Sequence, residues 1–155
     1  MPHSENLVTD IFPLDDACRV YYRDRFKTNV DAVVYVIDCH SFRYEDCVQA
    51  VKSDVEWVLT ETDPSVPILL AANKQDLRGS AKPATVLQLL EIPRLIAEHC
   101  PSRTLLCVQG ISASKARQCV EALEWCRAAR ELDTSGKSTE PTAKESTLRF
   151  WRRKK

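Results

Sequence analysis

Residues 68–79, ILLAANKQDLRG, change character at Asn73. Five apolar residues precede it, as in a strand buried inside a sheet, and Asn73-Lys74-Gln75-Asp76 follow at once. In open α/β sheets, ligands sit outside the carboxyl ends of the strands, where this tetrapeptide falls. An Asp there offers two carboxylate oxygens to a planar ring bearing an amino group and a ring N–H. An Asn amide can serve a ring acceptor and tie neighbouring loops together. The stem of a Lys can lie across a ring face. Together these groups suit a guanine. Four such residues alone also make an ordinary polar turn, so the surroundings must decide.

Working outward, the sequence repeats one unit. DAVVYVID (31–38), VPILLAAN (66–73) and TLLCVQ (104–109) are continuous apolar runs, the pattern of parallel strands buried on both faces. Between them, Ser41 to Thr62 carries Val48, Val51, Val55, Val58 and Leu59 at helical spacing and stops at Asp63-Pro64-Ser65. A further helix begins near Pro83, is interrupted at Pro93, and resumes from Arg94 to His99. Ser114 to Leu132 is the last helix, with Cys119, Val120, Leu123 and Cys126 on one face. Upstream, Leu7 to Phe12 reads as a short strand stopped by Pro13, and the spacing of Asp15 to Phe26 predicts a helix. Strands alternating with helices predict an α/β fold, with a mainly parallel sheet between two helical layers. Asp38, the loop 73–76 and GISASK (110–115) then share the carboxyl end of the sheet.

The 155 residues suffice for one ordinary core, and a formal net charge of zero gives no field that favours nucleic acid. The seven cysteines show no CxxC spacing and sit in apolar segments, the pattern of reduced core thiols in a cytoplasmic protein. Signal-peptide character is absent from MPHSENL, and no apolar run approaches the roughly 20 residues of a membrane span. His3, His40 and His99 form no catalytic or metal-ligand pattern.

A strand, N-K-x-D, a helix, a strand, S-A-S and a final amphipathic helix resemble the second half of a small GTPase domain. DAVVYVIDCHSF, LLAANKQDL and EALEWC are similar to the Arf and Arf-like branch, which carries VVDS, NKQDL and EGLDWL; the β-subunit of the signal-recognition-particle receptor is the related alternative. The short spacing between Asp76 and Ser112 favours the Arf-like label. The resemblance spans about Leu7 to Leu132 and implies a P-loop-NTPase-type fold that binds GTP or GDP, with Mg2+ accompanying the nucleotide. It implies that Asp76 holds the guanine edge, Asn73 braces the loop, and Lys74 lies against base and ribose. The Ala113 amide, with Ser112, would meet the base carbonyl. Asp38 belongs to a region that supports the fold, so it is left out of the expected site.

The departures concern the phosphate half. The family's phosphate loop, with its strand and helix, does not precede Leu7, so the domain is expected to be N-terminally truncated. Aligned on Asp10, the D-x-G-G-Q element reads DIFPLD: Phe12 and Pro13 replace the glycines and Leu14 the glutamine. Pro13 has no N–H to offer a γ-phosphate, and Leu14 cannot orient a water. SGKST (135–139) does not fill the gap. A phosphate loop needs a glycine five residues before Gly136, where Glu131 stands, and must follow a strand. GTP hydrolysis is therefore expected to be negligible, with no catalytic or metal-ligand residue assigned.

The expected organisation is a partial GTPase-like domain at 1–132, a flexible Ser/Thr/Lys/Glu linker at 133–147 and a basic-aromatic tail, LRFWRRKK, at 148–155. Such a tail can touch an anionic membrane surface or dock on a protein, or simply be solvated. The expected role is partner recruitment in membrane traffic, in the cytoplasm or peripherally on an endomembrane. The rival is a pseudo-GTPase scaffold without nucleotide. A sheet edge left open by the missing strand predicts an oligomer, a protein partner or marginal stability.

Overall fold

The computed structural model describes residues 17–20, 30–103 and 105–135, with side chains to Glu131. The expected strand at 7–12, most of the helix at 15–26, the 10–15 element and the tail at 148–155 lie outside these residues; of that helix, residues 17–20 are helical.

Three strands form a parallel sheet in the order β1-β2-β3: β1 is Val33–Asp38, β2 Ile68–Asn73 and β3 Leu106–Gly110. A one-turn 3-10 helix (Ser41–Arg43) and α1 (Glu45–Glu61) join the first two strands. The second and third are joined by α2 (Pro83–Leu89) and α3 (Ile92–His99), and α4 (Ala116–Ser135) closes the described chain. Register places Val33, Ile68 and Leu106 side by side, then Val34, Leu69 and Cys107.

Because strand side chains alternate, the two faces collect different partners. Val33, Ile37, Ile68, Leu70, Ala72, Leu106 and Val108 face one way. There they join Val48, Val55, Val58 and Leu59 of α1, Val86 of α2, and Ile92 and Leu95 of α3 in one buried cluster. Leu69, Ala71 and Cys107 face the other way, where Ala122 and Cys126 of α4 cover them. Each fully buried Leu or Ile contributes about 1.5–3 kcal/mol.

Strand β1 departs from the expectation of burial on both faces. Val34 and Val36 remain 38% and 55% exposed, on the face that α4 shares with Leu69 and Ala71. Among the described residues β1 has one strand neighbour, and α4 lies over β2 and β3 rather than over β1. A second difference concerns Pro93. The break falls earlier, at Glu91, whose φ of 50° ends one helix, and Pro93 sits in the first turn of α3, where its missing N–H costs nothing.

The amino end of the sheet is held by Arg103, which is only 5% exposed. Its Nη1 donates to Val66 O at 2.8 Å, and its Nη2 to Thr62 O at 2.6 Å and Asp63 O at 3.1 Å. One guanidinium thus satisfies carbonyls left over at the end of α1 and ties them to the start of β2. Burial pulls its pKa down, opposed by Cys100 and Asp63. At the other side of α1, Asp54 accepts the Tyr35 hydroxyl at 2.8 Å and pairs with Arg19, whose guanidinium lies 5.6 Å from the Trp57 ring centroid.

Candidate functional site

The carboxyl ends of the three strands are stitched into one platform by the backbone. Ile111 N donates to Ala72 O at 2.9 Å and Gln75 N donates back to Ile111 O at 3.2 Å, joining the loops after β2 and β3. Ala81 N reaches Cys39 O at 3.0 Å, and Gln75 Nε2 reaches Ala81 O at 2.8 Å, which ties in the end of β1. At Gly110 the approach is close: a Cβ there would stand 3.1 Å from Pro83 Cγ and 3.4 Å from Gln75 Cγ.

All five expected residues converge on this platform. Asn73, the last residue of β2, accepts the Ala113 N–H on its Oδ1 at 2.9 Å. Ser112 is buried and donates its hydroxyl to Asp76 Oδ1 at 2.6 Å, while Asp76 stays exposed. Lys74 adopts the left-handed region with φ 67°, a conformation that costs a non-glycine residue about 1–3 kcal/mol. Two bonds to its carbonyl hold it there, from Leu77 N at 3.0 Å and Ser80 Oγ at 2.6 Å. The left-handed turn lets the chain leave β2 so that Asn73 and Asp76 both reach the loop at 112–113.

The electrostatics favour an ionised Asp76. Its pKa is held below the ordinary carboxylate value, first by the Ser112 hydroxyl and then by its own backbone N–H, with smaller help from Lys115 and Lys74. An anionic, exposed carboxylate beside the Ala113 loop suits a ring that presents paired N–H donors. Among the described residues, no group of three His, Cys, Asp or Glu side chains could hold a metal ion. The residues present thus fit a base, and Asp76, Asn73 and Lys74 would hold it.

Three contributors lie outside the five expected site residues. Asp38 Oδ1 accepts the His40 N–H at 2.9 Å and so caps its own turn, while its Oδ2 lies 3.7 Å from Lys74 Nζ, an exposed pair that draws the lysine head toward the end of β1 only weakly. Gln118 Oε1 accepts Ser112 N–H at 2.7 Å, and the Ser114 hydroxyl is 2.7 Å from that of Ser112. Asp38 was visible at a strand end. Gln118, in the first turn of α4, carried no local signal.

The sequence model of the ADP-ribosylation factor family matches residues 12–129, most of the chain. The protein belongs to that family. ADP-ribosylation factor-like protein 2 of Dictyostelium discoideum is 29% identical over 108 residues, which are 69% of this chain and 53% of that protein. The chain thus spans about half the length of this curated relative. The solved structure of the Arl6 BBS3 small GTPase from Trypanosoma brucei, with a bound nucleotide analogue, superposes with a TM-score of 0.62 at 21% identity. That match covers 76% of this chain and 68% of the other. The α/β small-GTPase fold and the Arf-like branch expected from NKQDL are both shown.

Proposed function

We propose that this Arf-like protein retains a guanine-recognition platform, acts by recruiting protein partners in membrane traffic, and hydrolyses GTP negligibly as the chain stands. The observation that carries the reading is the assembled platform: exposed Asp76 bonded to Ser112 beside the Ala113 loop, on the turn that the left-handed Lys74 sets. In this reading Asp76 grips the guanine edge and Lys74 lies along the base, its head near Asp38. Negligible hydrolysis rests on Phe12, Pro13 and Leu14, which supply neither a flexible N–H to a γ-phosphate nor a polar group for water. Magnesium would enter only with the nucleotide. The basic-aromatic residues 148–155 would bring the protein to an anionic endomembrane surface from the cytoplasm, each Lys or Arg adding about 1 kcal/mol.

One observation favours a scaffold that binds no nucleotide. The Ala113 N–H, which the base carbonyl would need, is already engaged by Asn73 at 2.9 Å. Calorimetric titration of the 155-residue protein with GDP and Mg2+ separates the two readings. Micromolar affinity abolished by Asp76→Ala supports base recognition and ends the scaffold-only reading. A cooperatively folded protein that gives no heat ends the nucleotide reading.

A further inference from the structure

Two successive peptide planes carry the loop after β3 past the platform, and each is pinned at both ends. In the plane between Ile111 and Ser112, the Ile111 carbonyl accepts Gln75 N–H at 3.2 Å and the Ser112 N–H donates to Gln118 Oε1 at 2.7 Å. In the next plane, the Ser112 carbonyl accepts Lys115 N–H at 2.9 Å and the Ala113 N–H donates to Asn73 Oδ1 at 2.9 Å. A peptide unit is rigid, so a hold on either end aims the other.

These holds differ in what an arriving base would do to them. A base carbonyl that takes the Ala113 N–H displaces Asn73 from it. Asp76 is less exposed to competition: a carboxylate offers about four acceptor positions, so it can keep the Ser112 hydroxyl while it takes ring N–H groups. Loss of Asn73 leaves the second plane held at its carbonyl alone. Its direction then depends on Ser112, which is 1% exposed, and on the plane before it. Gln118 grips that earlier plane, at an N–H the base does not claim.

The placement of Gln118 is not that of an ordinary helix cap. It is the third residue of α4, where a capping-box glutamine reaches back to the N–H just before the helix. That N–H belongs to Lys115 and is given to the Ser112 carbonyl instead. Gln118 reaches past it to Ser112, six residues back. Its base is firm. Gln118, Ala122 and Cys126 are spaced by four on one helical face, and the last two are buried with Leu69, Ala71 and Cys107 of the sheet. Gln118 itself is half-buried.

We propose that Gln118 is a positioning residue of the base site: from α4 it holds the Ser112 amide, and so keeps the Ala113 N–H aimed when a guanine carbonyl replaces Asn73 on it. The inference rests on the guanine reading above. It also removes the conflict between an engaged Asn73 and a bound base, because the loop keeps its shape through the exchange.

Calorimetry with GDP and Mg2+ on the 155-residue protein, paired with NMR of the Ser112 and Ala113 amides, tests this. Gln118→Leu and Gln118→Ala remove the acceptor, with and without bulk, and Gln118→Glu keeps an oxygen acceptor at the same reach. The expected result is at least tenfold weaker GDP binding in the Leu and Ala variants, with urea midpoints close to wild type. The Glu variant stays within threefold of wild-type affinity. Without nucleotide, hydrogen exchange of the Ser112 amide rises at least tenfold in the Leu and Ala variants but not in Glu, while amides of β2 and β3 are unchanged. With GDP, the Ala113 amide proton moves downfield in wild type and in Glu, and not in the other two. Wild-type affinity in both acceptor-free variants overturns the proposal and leaves base recognition standing. So does a Glu variant that binds as weakly as Leu, and so does weaker binding with an unchanged Ser112 amide. A folded wild-type protein that gives no heat ends the guanine reading, and the proposal with it.

Discussion

The two ends of the β-sheet use polar groups in opposite ways. At the amino end, the Arg103 guanidinium is buried and donates to carbonyls of Val66, Thr62 and Asp63. At the carboxyl end, the polar groups also bond one another, but Asp76, Lys74 and Ala113 stay exposed. Buried donors that meet buried acceptors fix a fold. Ordered, exposed polar groups on a rigid rim are pre-placed for something that arrives from outside. Substituting the first set should cost stability, and substituting the second should cost binding.

The largest effect sharpens the first half of that contrast. Arg103→Ala leaves the Thr62 and Val66 carbonyls without their donor and should cost about 3 kcal/mol in a urea titration. Wild-type stability in this variant would make the clamp ornamental. Next comes Asp76→Ala, which should weaken guanine-nucleotide binding at least a hundredfold, read by calorimetry, with the urea midpoint almost unmoved. Equal losses of folding and binding would break the contrast. Asn73→Ala, at the carboxyl end, frees the Ala113 N–H and untethers two loops, and should cost about 1 kcal/mol of stability in the same urea titration.

The smallest expected effect is electrostatic. The folded pKa of Asp76 lies below its unfolded value, so its contribution to stability is complete above the unfolded value of about 3.9. That contribution fades as pH falls through the lowered folded value. Ser112→Ala removes the leading cause and should raise the Asp76 pKa toward the ordinary value, as followed by NMR titration of its carboxyl carbon. An unmoved titration would show that Ser112 does not hold the carboxylate.

Much of this was legible locally. β-branched runs and helical spacing of Val48, Val55, Val58 and Leu59 mark elements because the same side chains that favour a strand or helix also bury it. Asn73 and Asp76 were legible because the N-K-x-D motif fixes residue types a few positions apart. The burial of β1 was misjudged because VVYVID looks the same whether or not a helix lies over it. Arg103 and Gln118 were invisible, since their partners lie far away in the chain or outside any motif.

The sequence by itself determined the α/β order, the Arf-like kinship and the N-K-x-D motif at a strand end, because periodicity and short motifs are local properties of the chain. Only the tertiary structure decided that Asp38 lies beside Lys74, that Asn73 engages the Ala113 amide, and that α4 leaves Val34 and Val36 uncovered. The first two depend on which strand ends the crossovers bring to 3.7 and 2.9 Å and the third on where α4 packs, and no spacing along the chain encodes either.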